Sequence, residues 1–391
     1  MIPVSAALDA ILALVAPLPG ETVALRDVVG RVLAAPATAG RDQPPFDAAQ
    51  MDGYALRSAD LETGRPLRVV GTATAGHGFT GTIQPGEAVR IFTGAPVPGG
   101  ADRVVMQEET GRQGDVLTVA ANAEPGPFIR PRGGDFARGA ELPAGRALRP
   151  ADIALLAAMN VSQVTVHRRP AVAILSTGDE LVPPGADPGP DQIVASNGYG
   201  LAALVTETGA EARLLPIARD SLDSLDACLR LGEGADLIVT TGGASVGDHD
   251  LLARDGTRLG IDLAFYKVAM RPGKPLMAGR LRGTPMLGLP GNPVSALVCG
   301  RLFAVPALRR LAGHPPEAAA RATAVLGTDL PANGAREHYM RARTGTDGCA
   351  YPADSQDSSL LHILAQSDAL IVRPPHDPPR HLGETVEIVK I

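Results

Sequence analysis

The sequence contains no tryptophan, and aromatic residues make up only 3% of its 391 positions. Base-stacking platforms for single-stranded nucleic acid are therefore poorly supplied. Positive charge is not massed either: the net charge is −6, and no block of Lys or Arg offers a stripe for a phosphate backbone. No nucleic-acid partner is expected. Cysteine is scarce. Cys228, Cys299 and Cys349 are odd in number, far apart and without a CxxC pair. That argues against a zinc knuckle or disulfide framework and for reduced core thiols in a cytoplasmic protein. No uncharged apolar stretch reaches the roughly 18–20 residues of a spanning helix, so no membrane partner is expected. The apolar run Ile11–Val15 follows Asp9 and lacks a basic flank. It reads as an amphipathic first helix with Ser5 near its cap, not as a secretory signal.

What is present is ordinary for a globular protein: 45% hydrophobic and 20% charged residues, over a length that suggests two to four domains. Gly (45) and Pro (35) are scattered without period between apolar runs, as turn punctuation. After the first helix comes the apolar run Val28–Ala35. Residues 44–131 carry short strand-like runs at Leu67–Val70, Ala88–Phe92, Arg103–Met106 and Val116–Val119, which suggests a small β-rich domain. A helix is expected at Pro150–Met159 and a strand at Gln163–Val166. From Pro170 to about Gly313 strands and helices alternate. The strands are Ala171–Leu175, Ala212–Ile217, Asp236–Thr240, Phe265–Met270 and Met286–Leu289. The helices are Asn197–Thr208, one capped by Asp220 or Ser221 and running to Leu231, and Asn292–Leu311. Apolar strands alternating with amphipathic helices imply a largely parallel, doubly wound sheet. The last seventy residues read as a small β domain ending in Thr385–Val389.

In such sheets ligands bind outside the carboxyl ends of the strands, and the informative loops follow strands. Ser176-Thr177-Gly178-Asp179-Glu180 gives a tight turn with two acids, against the plainer reading of a solvated turn. Thr240–Asp250 combines glycines and hydroxyls able to cradle phosphate oxygens with Asp248 and Asp250, hard ligands suited to Mg²⁺. A flexible turn is the plainer alternative. In Tyr266–Pro275, Lys267 and Lys274 are two of only three lysines among 36 basic residues. A chain this biased toward Arg keeps Lys where a compact point charge meets an oxyanion. The segment is not a Walker A loop, because Pro275 follows Lys274 and the glycine spacing is wrong. In Gly288–Ser295, Asn292 as N-cap and Pro293 as first residue open a helix whose N–H groups favour an anion. Met51–Ala55 and Arg90–Ala95 each read, on their own, as a turn beside a strand. Gly76–Gly81 matches GxGxxG, but Pro85-Gly86 behind it cannot open a helix, so the dinucleotide fingerprint is rejected. The eight histidines show no zinc-site spacing. From the residues alone the strand tips would hold a polyanionic ligand.

The ordered set MDGYA, RIFTGA, STGDEL, TTGGASVGDHD, YKVAMRPGKP and GLPGNPVSA closely resembles the MoeA family of molybdopterin molybdenumtransferases, relatives of the gephyrin E domain. The resemblance implies an elongated α/β multidomain chain: a doubly wound MogA-like α/β domain plus β-rich domains. Its implied parts are 1–43 with 132–168 (an elongated linker or dimerisation domain), 44–131 (β-rich), 169–316 (MogA-like, molybdopterin-binding) and 317–391 (C-terminal β). It implies a cytoplasmic homodimer whose cleft lies between the β-rich domain of one subunit and the sheet domain of the other. Other molybdenum-cofactor biosynthesis proteins would be its partners. The implied reaction is Mg²⁺-dependent insertion of molybdate into adenylated molybdopterin with release of AMP. The implied catalytic residues are Asp52, Thr93, Glu180, Asp220, Asp250, Lys267, Arg271 and Lys274. Glu180, Asp220 and Asp250 would be the metal ligands. Substrate would be bound by Ser176, Thr177, Gly178, Gly242, Gly243, Ser245, Gly247, Pro290, Asn292, Pro293 and Ser295. The acids and amines are expected to share one cavity at the strand tips.

The chain departs from the family pattern at Ala48-Ala49-Gln50, where Asn-Ser-Ala is usual, and at Gly133-Gly134-Asp135, where GED is usual. Gln356-Asp357-Ser358-Ser359 replaces a more glycine-rich turn. These departures motivate an alternative, a non-catalytic molybdopterin-binding or scaffolding paralogue. The adenylyltransferase step is a second alternative, because its enzyme shares the sheet domain, but such enzymes resemble that domain alone.

Overall fold

The protein is described by a computed structural model over residues 1–242 and 251–391. The part that positions the site is the α/β domain, and its elements are numbered here within it. Strand β1 is Ala171–Ser176, followed by helix α1, Asn197–Glu207, and β2, Glu211–Leu214. Then come α2, Leu222–Arg230, and β3, Leu237–Thr241. Strands β4 (Ile261–Tyr266), β5 (Met277–Leu281) and β6 (Thr284–Leu289) complete the sheet, and α3 runs from Pro293. The sheet order is β2-β1-β3-β6-β5-β4. The first four strands are parallel, and β5 and β4 pair antiparallel at the edge.

Alternation along the strands covers both faces. Val172, Ile174, Leu237, Val239 and Leu287 enter one core with α1, α3 and the N-terminal helix Val4–Leu14. Ala173, Leu175, Ile238 and Met286 enter the opposite core with Leu225, Cys228 and Leu229 of α2. Each fully buried Leu, Ile or Val contributes about 1.5–3 kcal/mol, so two cores on one sheet fix its strand tips firmly. The helix Val4–Leu14 thus shares no core with the segment that follows it. That segment pairs Gly20–Ala24 with Gln163–His167 and packs Val28, Leu33 and Leu148 on Leu156 of the helix Pro150–Ala158.

A six-stranded sheet occupies the β-rich region, in the order Arg103–Met106, Gly53–Leu56, Glu87–Ile91, Leu67–Ala73, Val116–Val119, Thr110–Gln113. A second six-stranded sheet near the C-terminus includes Glu337–Thr344 and Thr385–Lys390. Its outermost member is Met270–Arg271, from the α/β segment, paired parallel to Glu337–His338. Among the described residues no helix is long and apolar enough to cross a membrane.

Several local expectations shift. Pro3 is the N-cap of the first helix, and Ser5 lies in its first turn without a side-chain capping bond. Strand β2 ends at Leu214, short of the expected Ile217, because Pro216 cannot continue a ladder. Ser221, not Asp220, caps α2 by accepting from the Ser224 N–H at 3.3 Å. The strand expected at Phe265–Met270 stops at Tyr266, since Lys267 turns the chain with a φ of +74°. The long helix holds as one run, with a wide turn at Gly300–Ala304 between Pro293–Cys299 and Val305–Leu311. Pro306 explains the widening, because its ring has no N–H and would strike the carbonyl one α-turn back.

Candidate functional site

Register brings the relevant loops to one level. Ser176 is paired with Thr241, and Thr241 with Leu289, so β1, β3 and β6 end side by side. Leaving β1, the Thr177 N–H donates to the Thr241 carbonyl (3.0 Å) and the Gly178 N–H to the Ala218 carbonyl (3.1 Å). The next loop is tied in from the other side. The Arg219 guanidinium donates to the Asp179 carbonyl (2.8 Å), and the Asp220 N–H to the Asp179 carboxylate (3.2 Å). Gly198 in the first turn of α1 lets the helix close on β1, since a methyl there would stand 3.1 Å from Ser176 Oγ. Gly200 and Gly300 do the same where α1 crosses the long helix, against Leu297 and against Leu201 and Leu204. The first turns of both helices consequently arrive at the strand tips together.

Two cavities adjoin there. The smaller, about 130 Å³, is lined by Ser176, Thr177, Glu180, Asn197, Thr241 and Gly242, with Gly291 and Pro293 behind. Thr177 is 5% exposed and its hydroxyl has no hydrogen-bond partner among the described residues, so this wall holds an unused polar group. The larger cavity, about 490 Å³, lies between the α/β domain and the C-terminal sheet. Among the described residues, Arg271, Lys274 and Arg336 line it, with one carboxylate, that of Asp357. That carboxylate is held below its usual pKa by the Ser359 N–H and hydroxyl. Pro290, Asn292, Ser295 and Ser358 complete the wall. Three cations against one anion among the described residues suit a doubly charged oxyanion.

Of the acids and basic groups expected in one pocket, Glu180 and the pair Arg271 and Lys274 line two adjoining cavities. Glu180 belongs to the smaller cavity and Lys274 and Arg271 to the larger, with Gly291 lining both. Gly178 lies beneath the Glu180 carboxylate, and a methyl on it would meet that group at 2.5 Å. Asp220 is exposed on the neighbouring loop and lines neither cavity. Lys267 also lines neither, and its ammonium stands 4.6 Å over the ring of Tyr266. Gly243, Ser245, Gly247 and Asp250 lie outside the described residues. Among the described residues no three His, Cys, Asp or Glu side chains gather as a metal-binding set.

Asp52 and Thr93, forty-one positions apart, are brought together. Both the N–H and the hydroxyl of Thr93 donate to one Asp52 oxygen at 2.7 Å. These bonds, with Arg90 nearby, hold the Asp52 carboxyl below its ordinary pKa. Gly53 next to it is a buried strand residue, not a turn, and a methyl there would collide with the Val105 carbonyl at 1.8 Å. Neither Asp52 nor Thr93 lines the two cavities of its own chain.

Sequence reasoning missed Arg336 and Asn197, and it took Asp357 and Ser358 only as a departure. The Asn292 amide donates to Ser358 Oγ at 2.9 Å, and the Val294 N–H to the Ser358 carbonyl at 3.1 Å. The C-terminal loop thereby satisfies the start of α3. Gln356 closes the same loop by bonding both the N–H and the carbonyl of Arg341.

Comparison with known proteins gives three family matches in chain order. Residues 2–160 match the MoeA N-terminal region (domains I and II), 173–310 a probable molybdopterin binding domain, and 323–391 the MoeA C-terminal region (domain IV). A molybdopterin molybdenumtransferase of Nostoc sp. is 39% identical over 380 residues, covering 93% of this chain and 86% of that protein. Molybdopterin molybdenumtransferase 2 of Mycobacterium tuberculosis is 38% identical, covering 82% of each. Among solved structures, a molybdopterin biosynthesis MoeA protein from Pyrococcus horikoshii superposes with a TM-score of 0.87. It is 31% identical and covers 100% of this chain and 99% of its own.

Proposed function

Because the chain belongs to the MoeA family of molybdopterin molybdenumtransferases, enzymes of molybdenum cofactor biosynthesis, we propose that it inserts molybdate into adenylated molybdopterin and releases AMP. The observation that carries this reading is the pair of adjoining cavities of unlike character with one shared wall. The cationic cavity suits molybdate, a dianion, held by Lys274, Arg271 and Arg336. The smaller cavity, with the Thr177 hydroxyl unpartnered among the described residues and the first turn of α1 at its wall, suits the phosphates of the pterin adenylate.

Glu180 and Asp220, exposed carboxylates on loops joined through Asp179, are hard donors that fit Mg²⁺. Such an ion ordinarily takes one or two carboxylates plus substrate phosphate. Asp250 is assigned with them from the motif alone. The ion would neutralise charge on the phosphoanhydride. The protein's own part is to orient that anhydride, exclude competing water and keep molybdate against the dithiolene. Asp52 and Thr93 are assigned to the cleft from a second subunit, their rigid pair supplying an anionic edge. Lys267 is retained as a positive group at the base of the same segment.

Molybdate-stimulated release of AMP from adenylated molybdopterin by the purified protein tests the reaction. Consumption of ATP instead would indicate the adenylyltransferase step, and tight pterin-adenylate binding without turnover would indicate a carrier or scaffold. Lys274→Ala should raise the molybdate concentration for half-maximal rate about tenfold, the usual scale for one desolvated charge contact. An unchanged molybdate dependence removes Lys274 from that role.

A further inference from the structure

The turn Pro290-Gly291-Asn292 is the partition between the two cavities, and its carbonyl at Gly291 is gripped from the side of α1. Asn197 Nδ2 donates to the Gly291 carbonyl at 2.6 Å and to Thr241 Oγ1 at 2.9 Å. A carbonyl can only accept, so the amide of Asn197 must turn its NH₂ toward the partition, and both of its hydrogens are then committed. On the far side the Asn292–Ser358 bond holds the turn against the C-terminal loop. The partition is thus strung between the tip of β3 and the C-terminal sheet.

We propose that Asn197 is a positioning residue that fixes this partition, so that occupancy of the smaller cavity is felt in the larger one. The assignment rests on the functional reading above for the identity of the two ligands. With the Asn197 bridge in place, a nucleotide phosphate against Thr241 and Gly242 and an oxyanion against Gly291 and Lys274 keep a fixed separation. Without it the Gly291 peptide keeps its place on one side only, and the two sites act independently.

The test measures molybdate binding to the full-length protein by calorimetry, with and without saturating AMP, alongside molybdate-dependent turnover and the thermal midpoint. In the unaltered protein AMP should shift molybdate affinity severalfold. In Asn197→Ala each ligand alone should bind within about threefold of the original, while the AMP effect disappears and kcat falls about tenfold at unchanged molybdate KM. Asn197→Asp, the same shape but with an oxygen facing the Gly291 carbonyl, should be slower still. Thr241→Val should lose part of the linkage and Thr241→Ser should keep it. The double variant Asn197→Ala/Thr241→Val should be no worse than Asn197→Ala. Retained linkage and rate in Asn197→Ala, absence of linkage in the unaltered protein, or a loss of more than tenfold in AMP affinity alone would each overturn the proposal. Failure of the unaltered protein to bind either ligand overturns the functional reading beneath it.

Discussion

Gly242 leaves the tip of β3 with a φ of +88°, and a methyl group there would stand 2.5 Å from the Thr177 carbonyl oxygen. Gly242→Ala should therefore cost about 1–3 kcal/mol in urea unfolding and displace the wall of the smaller cavity, lowering transferase activity at least about tenfold. His338 supplies a second expectation. It is 6% exposed, its Nε2 has no partner among the described residues, and burial first, then Arg271, Arg373, Arg336 and Arg341, push its pKa down from 6.5 to about 4. Between those values the unfolded chain binds the extra proton and the folded chain does not. Stability from this residue is thus complete above pH 6.5 and is lost as pH falls toward 4, by about 3 kcal/mol. Denaturant unfolding at pH 7, 5 and 4 should show the decline, and His338→Gln should flatten it. An unchanged slope in that variant would place the acid sensitivity elsewhere. The place of Ser176, Thr177 and Glu180 at a strand tip was legible in the sequence because Ser176 ends an apolar strand and the other two lie in the Gly178 turn behind it. Arg336 and Ser358 were not, since only the pairing of Arg271 with His338 and the bond from Asn292 bring them to the cavity.

At the scale of elements, the parallel half of the sheet was readable from its apolar runs, and the edge hairpin was not. Strand β5, Met277–Leu281, was missed, and β4 was placed too far along. The cause is visible at Gly279, which β4 opposes with an irregularity between Leu263 and Phe265. A methyl on Gly279 would stand 2.1 Å from the Asp262 carbonyl. A glycine in a five-residue run, with Pro275 before it and Gly283 after it, carries the signature of a turn, although close backbone approach is its reason here. Gly279→Ala should destabilise by about 2 kcal/mol or more, because the obstructing atom is backbone and cannot rotate away. Circular dichroism and urea unfolding would check it, and a variant as stable as the original would mean that the hairpin yields without cost. The long helix was read as one element because its apolar face persists through Pro306. Only the hydrogen-bond spacing changes there, and sequence periodicity does not record that.

For the whole molecule, the accessible surface is 18893 Å² at 40.2 kDa. A single compact monomer of that mass would expose ~14,500 Å². The excess follows from several small cores strung along the chain in place of one large one. Such an arrangement holds the Asp52–Thr93 pair in the β-rich sheet, while the two cavities lie at the other sheet's strand tips. The MDGYA and RIFTGA motifs resisted a local reading because the contact that joins them, Thr93 on Asp52, spans forty-one positions of the sequence. If the cleft is completed by a second subunit, two impaired variants should rescue each other at molybdate concentrations too low to saturate Lys274→Ala. Asp52→Ala and Lys274→Ala damage opposite halves of the cleft, so a mixed dimer carries one doubly damaged site and one intact site. Random mixing of equal amounts should restore about a quarter of the original sites under twofold symmetry. Co-expression with two affinity tags isolates the doubly tagged mixed dimer, in which the AMP-release assay should find about half of the sites intact. Activity no higher than that of the better single variant would confine Asp52 to its own chain, and the β-rich sheet would then act through structure alone.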